Sequence, residues 1–337
     1  MTHVIFGAGA IGTSLAAQFT EAGIDTILVA RGAQLDHLRA HPLDYQRPDG
    51  TRQIRLAVTD IASLRLKSDD ILMLAVKGQD VEDLTAQIAV LPVAGGGIAA
   101  DLPLLTLQNG IEAERIAARR FARLYAAVIR VPAIYTRTGK VRVLAEPQFA
   151  TIMLGCFPSG RDAVSARLAA DFARANALVE ERDDIRRWKS EKLAYNVRNV
   201  LELFSGAPED SARLGLALSA EAEAVLTAAG LGPARPEERR ISQDGWQISR
   251  DAADPGGQST WQSFTRGARS EVDYLNGEIV LQARLLGRAA PWNLAAQRLA
   301  AELAAKGGQP GEFALDRLVS LAQTAGADPL PSPAVGG

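Results

Sequence analysis

The stretch Val4-Ile5-Phe6-Gly7-Ala8-Gly9-Ala10-Ile11-Gly12 places three glycines directly after a short apolar run. The run predicts a buried strand, and the periodic pattern that follows, up to residue 22, predicts a helix. A strand that turns through glycines into a helix leaves backbone N–H groups unpaired at the helix N-terminus, where they can bind a pyrophosphate. An ordinary strand–helix turn is the alternative. A second predicted strand at residues 26–30 favours a dinucleotide-binding loop, in which residues 7–12 hold the cofactor.

Arg31 stands at the tip of this second predicted strand. NAD-binding folds of this type place an acidic residue about 20 residues beyond the glycines, where it accepts a hydrogen bond from the ribose 2′-OH. No acidic residue lies directly beside Arg31, and a guanidinium can pair with a 2′-phosphate through two hydrogen bonds. A solvated surface arginine is the alternative. The sequence therefore predicts NADP(H) rather than NAD(H) as the cofactor.

Length and composition limit the class of protein. A chain of 337 residues, 47% of them hydrophobic, suits two domains with separate cores. A net charge of -2, with no basic tract, argues against nucleic acid as a partner. No apolar stretch approaches the ~20 residues of a membrane span, and the immediate start of a strand argues against a signal peptide. One cysteine excludes an intramolecular disulfide. A cytoplasmic protein is the simplest interpretation.

Histidine and lysine are both scarce. The three histidines are His3, His37 and His41, so the second half of the chain has no imidazole for acid–base chemistry or for a zinc site. The 37 basic residues comprise only six lysines against 31 arginines. A lysine in such a chain can mark a position that requires an amine able to release its proton.

The order of predicted elements defines the fold class. Residues 1–182 alternate strands and helices, which predicts an α/β fold with a Rossmann-type, doubly wound parallel sheet that binds NADP(H). A half-exposed strand is predicted at residues 54–58. Residues 183–327 predict an all-α domain, with helices at 186–204, 207–229, 258–266, 271–286, 293–306 and 312–322. The Pro- and Gly-rich tail, residues 328–337, is predicted to be disordered.

Lys77 and Asn109 each follow a buried apolar run. Ligands of open parallel sheets lie beyond the carboxyl ends of the strands, so these two residues are candidates for cofactor and substrate binding. A lysine there can meet a phosphate or carboxylate, and an asparagine can hold a hydroxyl. A surface amine and a helix N-cap are the respective alternatives.

In the helical half, Lys192, Asn196 and Asn199 have the spacing i, i+4, i+7 and share one face of a predicted helix. Asparagine is a poor helix former. Together an ammonium and two amides would bind an oxygen-rich substrate, whereas a solvated stripe is the alternative. Ser259 precedes Glu271 by twelve residues, and Glu271 opens a predicted helix, where it could simply compensate the helix dipole.

Taken together, these residues resemble the ketopantoate reductase (2-dehydropantoate 2-reductase) family. The matching segments, in family order, are residues 7–12, Arg31, 76–77, 108–111, 192–196, Ser259 and 271–277. The resemblance implies an NADP-dependent oxidoreductase whose Rossmann and helical domains enclose a cleft. The implied reaction is the reduction of 2-dehydropantoate to (R)-pantoate, a step of pantothenate biosynthesis. A small 2-oxo acid is then the partner, and a homodimer is compatible with the family.

The resemblance also implies roles for single residues. Lys192 is the catalytic proton donor, and Glu271 helps to orient it. The implied substrate ligands are Asn109, Asn196 and Ser259, and Asn109 also touches the cofactor. Lys77 and Glu271 meet the nicotinamide half of NADPH. The chemistry is consistent with this, because hydride addition to a carbonyl places negative charge on an oxygen that a general acid must protonate.

Departures from the family fall on the substrate side. The family's second helix asparagine lies eight residues after the lysine, where this chain has Val200, and Asn199 lies one position earlier. One residue turns a helical side chain by about 100°. A related reductase of another branched 2-oxo acid and an opine-type dehydrogenase therefore stay open as alternatives. An NADPH-binding regulatory protein is the non-enzymatic one.

Overall fold

The structure, a computed structural model, describes residues 1–249, 260–261, 264 and 270–330. The chain forms two compact units. The first unit comprises Met1–Gln108, Ala113–Arg186 and the described residues of 236–253. The second comprises Asn109–Glu112, Arg187–Arg235 and the described residues from 254 onward.

The strands of the described residues are short. In chain order they are β1 (His3–Phe6), β2 (Thr26–Val29), β3 (Leu43–Arg47), β4 (Gly50–Ile54), β5 (Val58–Thr59), β6 (Leu66–Lys67), β7 (Ile71–Leu74), β8 (Val93–Ala94), β9 (Leu104–Thr106), β10 (Leu124–Arg130), β11 (Ala133–Arg137), β12 (Lys140–Val143), β13 (Ala145–Glu146), β14 (Ala150–Cys156), β15 (Ala177–Glu181), β16 (Phe204–Ser205), β17 (Gln247–Ile248) and β18 (Phe313–Ala314).

The helices of the described residues lie in both units. They are α1 (Ala10–Glu21), α2 (Gly32–Ala40), α3 (Val81–Ala89), α4 (Glu112–Ala117), α5 (Ala163–Arg174), α6 (Ile185–Asn196), α7 (Pro208–Ala228), α8 (Asn276–Leu285), α9 (Pro291–Ala305) and α10 (Leu315–Thr324). Short 3₁₀ segments lie at Gly78–Asp80, Ala99–Asp101, Val197–Leu203, Pro236–Glu238 and Val272–Tyr274.

The main sheet of the first unit has the strand order β15-β14-β10-β9-β7-β1-β2-β5. Its pairs are parallel except for β10 with β14. Successive residues of the central strands enter different apolar cores, because side chains alternate across a strand: Ile5 packs in one core and Val4 and Phe6 in another. A sheet covered on both faces requires such continuous apolar strands. The Rossmann-type α/β fold is thereby confirmed.

A smaller sheet, β11-β12-β3-β4, accompanies the main sheet in the first unit. The strand predicted at residues 54–58 is wrong in its bounds, since β4 ends at Ile54 and β5 begins at Val58. The segment from residue 236 to 249 returns from the second unit to the first. There β17 pairs with β13, and the Trp246 indole donates to the carbonyl of Gln148 at 3.1 Å.

The second unit is a helical cluster around one apolar core. Residues of α6, α7, α8, α9 and α10 share this core, with Leu193, Leu218, Ile279, Leu299 and Leu318 all fully buried. The single helix predicted for residues 186–204 is wrong: α6 ends at Asn196, and a 3₁₀ segment continues to Leu203. The helix predicted from Glu271 begins five residues later, at Asn276.

Candidate functional site

The glycine loop after β1 is tight at its two ends and open in the middle. Gly7 has a φ of +113°, which favours glycine. A Cβ on Gly12 would overlap the carbonyl oxygen of Gly7 and lie 3.1 Å from the Cβ of Ala75. A Cβ on Gly9 would meet no atom of the described part of the chain within 4 Å. The loop therefore closes on itself at Gly7 and Gly12 and leaves free space beside Gly9.

Helix α1 begins at the open side of this loop. Gly9 is its N-cap, and within the described chain no side chain caps the helix and no acidic residue lies in its first turn. The N–H groups of the first turn thus meet neither a capping oxygen nor a repelling carboxylate, which suits an anionic ligand. Open space at Gly9 and an uncapped helix N-terminus together fit the pyrophosphate of a dinucleotide.

Arg31 lies at the same edge of the sheet. Phe6 of β1 is in register with Val29 of β2, so Arg31 stands two residues beyond the pair that precedes the glycine loop. It is exposed, and it is the N-cap of α2 without making a capping hydrogen bond. No hydrogen bond or ion pair of its guanidinium is found among the described residues. The side chain is therefore available to an anion in solution.

The ends of β7 and β9 are joined by a side chain that sequence reasoning treated only as part of a motif. The Gln108 amide donates to the carbonyls of Leu74 at 2.9 Å and Val76 at 3.0 Å. Lys77 directly follows Val76 and is half-buried. Gln108 thereby fixes the backbone that carries Lys77 at the carboxyl edge of the sheet. The sequence signal for this role of Gln108 is a polar residue directly after an apolar run.

Asn109 begins the short segment that belongs to the second unit. Helix α4 starts at Glu112, so Asn109 does not occupy its N-cap position. Gly110 has a φ of +81°, and a Cβ there would lie 2.7 Å from the carbonyl oxygen of Tyr274. Ile111 packs in the same core as Val272. The segment that carries Asn109 therefore lies against the 3₁₀ turn that follows Glu271.

Glu271 is only 5% exposed. It precedes the 3₁₀ turn Val272–Tyr274, and its side chain makes no capping hydrogen bond to that turn. The first turn of α8 instead contains Glu278. Simple compensation of the helix dipole, the alternative for Glu271, is thus not supported. The structure shows Glu271 as a buried carboxylate beside the segment that carries Asn109.

The element that carries Lys192 changes its helical type at the asparagines. Asn196 is the last residue of α6 and Asn199 lies in the 3₁₀ segment; they are 6% and 4% exposed. Residues i and i+3 are eclipsed in a 3₁₀ helix, whereas they differ by about 60° in an α-helix. The change from α-helix to 3₁₀ helix therefore brings the Asn199 side chain closer to the direction, around the helix axis, in which the Asn196 side chain lies. A solvated stripe is wrong for these asparagines, and Lys192 is half-buried.

Val200 stands at the position of the family's second helix asparagine, and Asn199 lies one position earlier; the two side chains have different environments. Val200 is 1% exposed and belongs to the apolar core of the second unit. Asn199 Oδ1 is buried, with no hydrogen-bond partner among the described residues. A buried amide atom without a partner is costly, about 1–3 kcal/mol, unless a ligand or water supplies one. Asn199, not Val200, is therefore the residue with an unsatisfied polar atom at this point of the chain.

Several other expectations concern residues outside this set. Ser259 lies outside the described residues. His3 is fully buried and pairs with Asp171 at 2.9 Å, and burial lowers the pKa of its imidazole. The described residues contain no group of three or more metal-binding side chains. A cavity of about 500 Å³ at the smaller sheet, lined by Arg47 and Arg142, contains none of the predicted site residues.

The fold and these residues define a Rossmann-type oxidoreductase. Comparison with known proteins places it further: the chain belongs to the ketopantoate reductase family. The family model described as ketopantoate reductase PanE/ApbA matches residues 3–158, and the model of its C-terminal part matches residues 184–304. In the part of the chain that the structure describes, no helix is long and apolar enough to cross a bilayer.

Individual relatives agree with this assignment. The 2-dehydropantoate 2-reductase of Pyrococcus horikoshii is 25% identical over 299 residues, 87% of this chain and 94% of that protein. That of Mesorhizobium japonicum is 27% identical over 321 residues, covering 86% and 94%. A ketopantoate reductase from Ralstonia eutropha superimposes with a TM-score of 0.75 at 25% identity, covering 91% and 99%. D-mandelate dehydrogenase with NADH and anilino(oxo)acetate has the same fold, with a TM-score of 0.75 at 18% identity.

Proposed function

We propose that this chain is an NADPH-dependent reductase that converts 2-dehydropantoate to (R)-pantoate. The observation that carries the proposal is the arrangement on α6 and its 3₁₀ continuation: a half-buried Lys192 followed by buried Asn196 and Asn199. An ammonium and two amides in a buried setting suit a small substrate with several oxygens. The names of the curated relatives support the same reaction.

The reaction requires a hydride for C2 of the 2-oxo acid and a proton for its oxygen. The hydride is the chemistry that NADPH supplies when bound. In the proposal the N–H groups of residues 9–12 hold its pyrophosphate, Arg31 holds its 2′-phosphate, and Lys77 binds on the nicotinamide side.

Lys192 supplies the proton. As the C2 carbonyl accepts the hydride, negative charge grows on its oxygen, and the Lys192 ammonium stabilises that charge and transfers a proton from Nζ. The lysine is left as a neutral amine and regains its proton from solvent, which its half-buried position permits. All three histidines belong to the first unit, so the second unit has no imidazole of its own to serve as the donor. Glu271 positions the ammonium, and the substrate is bound by Asn109, Asn196, Asn199 and Ser259.

A steady-state assay of the purified protein tests the function directly. Oxidation of NADPH, followed by its absorbance, should depend on 2-dehydropantoate and should yield pantoate in equal amount. Absence of turnover with 2-dehydropantoate and with other branched 2-oxo acids would favour the NADPH-binding regulatory protein instead.

The cofactor preference depends on Arg31. We expect NADPH to exceed NADH by roughly one to three orders of magnitude in kcat/KM, because a charge-assisted pair contributes about 1.5–3 kcal/mol. Arg31→Ala should remove most of this preference while NADH turnover changes little. Steady-state kinetics with both cofactors measure the effect. Arg284→Ala is the matched control, since Arg284 is also exposed but lies on α8. Equal use of both cofactors by the unaltered protein would contradict the assignment.

The hydroxyl group of the substrate should decide specificity. A hydroxyl can satisfy the Asn199 amide in either orientation, whereas a methyl group can satisfy neither. We therefore expect 2-dehydropantoate to exceed 3-methyl-2-oxobutanoate, which lacks the hydroxyl, by at least ~100-fold in kcat/KM. Asn199→Leu should remove most of that difference. Because Val200 packs in the core, it gives no reason to favour the less polar analogue. A wild-type preference for that analogue would support the second candidate, a reductase of another branched 2-oxo acid.

A further inference from the structure

Two side chains from other helices bond to the backbone on either side of Asn196. Ser219 Oγ, on α7, donates to the carbonyl of Ala194 at 2.7 Å. Asn276 Nδ2, at the start of α8, donates to the carbonyl of Val197 at 3.0 Å. The α-helix gives way to the 3₁₀ segment between these two carbonyls. Side-chain donors inserted into a helix are a known cause of such irregularity.

Asn276 is held in one orientation by its other contacts. Its Nδ2 also donates to Asn293 Oδ1 at 3.0 Å, and the Asn293 amide donates in turn to the Leu218 carbonyl and the Glu221 carboxylate. Reversing either amide would bring oxygen against oxygen. Asn276 and Asn293 are 1% and 0% exposed. This chain of bonds fixes the amide that reaches the carbonyl of Val197.

Glu221, on α7, bonds to the start of α9. Its carboxylate accepts from the backbone N–H groups of Trp292 and Asn293 at 3.0 and 2.8 Å. Burial raises the pKa of Glu221, while its bonds to Asn293 act in the opposite direction. Ser219 is similarly supported, since its Oγ accepts from Arg198 Nε at 2.6 Å. Side chains of α7, α8 and α9 are therefore linked by hydrogen bonds, directly or through one another, to the short stretch that carries Asn196 and Asn199.

We infer that Ser219 and Asn276 are positioning residues for substrate recognition: by bonding to the carbonyls of Ala194 and Val197, they determine where the helix tightens. That point sets the direction of Asn199 relative to Asn196, because eclipsing begins only where the 3₁₀ geometry begins. A helix that stayed α-helical would turn Asn199 by about 60°. The inference rests on the proposed function, in which these two asparagines bind the substrate.

Ser219→Ala is the principal test, with Asn276→Leu as the second variant. We expect each to raise KM for 2-dehydropantoate about fivefold and to lower the preference over 3-methyl-2-oxobutanoate by a similar factor, because one hydrogen bond contributes about 1 kcal/mol, which is a factor of about five. The dissociation constant of NADPH should change less than twofold. Ser219→Thr keeps the hydroxyl donor and should restore the preference. Ser320→Ala is the matched control, since that hydroxyl donates within its own helix, to the Asp316 carbonyl, and has no other partner among the described residues.

Hydrogen exchange separates this inference from the proposed function. Amides of residues 194–203 should exchange about tenfold faster in Ser219→Ala than in the wild type. If the wild type reduces no 2-oxo acid, the proposed function fails, and the exchange rates still decide whether the two side chains hold the segment. Folded variants with unchanged exchange and unchanged substrate preference would overturn the inference. If Asn276→Leu does not fold, Ser219→Ala decides alone.

Discussion

Replacing Lys192 with alanine should lower kcat by a factor of ~10²–10⁴, the usual contribution of a general acid. The proton would then have to come from water, which is neither positioned nor charged. The affinity for NADPH should change little, because in the proposal the glycine loop, Arg31 and Lys77 bind the cofactor and Lys192 acts on the substrate. Single-turnover absorbance measurements at saturating substrate give the rate of the chemical step, and a fluorescence titration gives the affinity.

Lys192→Arg should rescue little of this loss, because a guanidinium keeps its charge but does not release its proton. Lys306→Ala is the appropriate neutral comparison, since Lys306 is exposed at the end of α9 and pairs with Glu302 on the surface. Lys189 is unsuitable for that purpose: it is only 4% exposed, and its removal would disturb packing. A Lys192→Ala protein with wild-type kcat would eliminate this lysine as the donor.

Two substitutions in the glycine loop should affect the melting temperature differently, although both should weaken NADPH binding. Gly12→Ala would force the loop apart, because the added Cβ overlaps the Gly7 carbonyl. We expect a lower melting temperature and NADPH binding weakened by at least ~100-fold, as overpacking costs about 1–3 kcal/mol and also displaces the donors. The Cβ that Gly9→Ala adds meets no atom of the described residues within 4 Å. This substitution should leave the melting temperature unchanged and weaken NADPH about 10–100-fold, because its methyl group fills the space beside the phosphates.

Thermal unfolding without ligand and fluorescence titration with NADPH measure the two effects separately. Gly23→Ala is not a valid control, because Gly23 has a φ of +66° and would be strained by any side chain. If Gly9→Ala binds NADPH as tightly as the wild type, the pyrophosphate does not lie beside Gly9.

The central sheet could be predicted because its signals are local. Apolar runs such as residues 71–76 are followed directly by turn residues, so the strand is visible in the sequence and its end is visible to within two residues, since β7 ends at Leu74. The smaller sheet was missed. Residues of β3 alternate between buried and half-buried, but β3 pairs in parallel with β12, which lies about a hundred residues further along the chain. The pairs β3–β4 and β11–β12 are local hairpins, but the β12–β3 pair that joins them into one sheet leaves no trace in a local pattern.

The candidate site shows the same limit. Strand-end positions predicted Lys77 and Asn109 as candidates, and helical spacing predicted Lys192 and Asn196. The 3₁₀ segment could not be predicted, because seven residues do not distinguish a period of 3.0 from one of 3.6. Its cause lies in Ser219 and Asn276, which are 25 and 79 residues from the carbonyls that they bond. The roles of the site residues stay predictions.

Arg31 occupies the amino end of α2, where a helix carries its positive pole. A cation in that place adds to the field of the peptide dipoles instead of offsetting it, and a small acidic or hydroxyl side chain would suit the fold better by about 0.5–2 kcal/mol. Under the proposed function, in which Arg31 binds the 2′-phosphate of NADPH, folding and cofactor choice favour different residues at this position. Directed evolution for heat resistance alone should then select aspartate or serine there, and the resulting variants should shift from NADPH toward NADH.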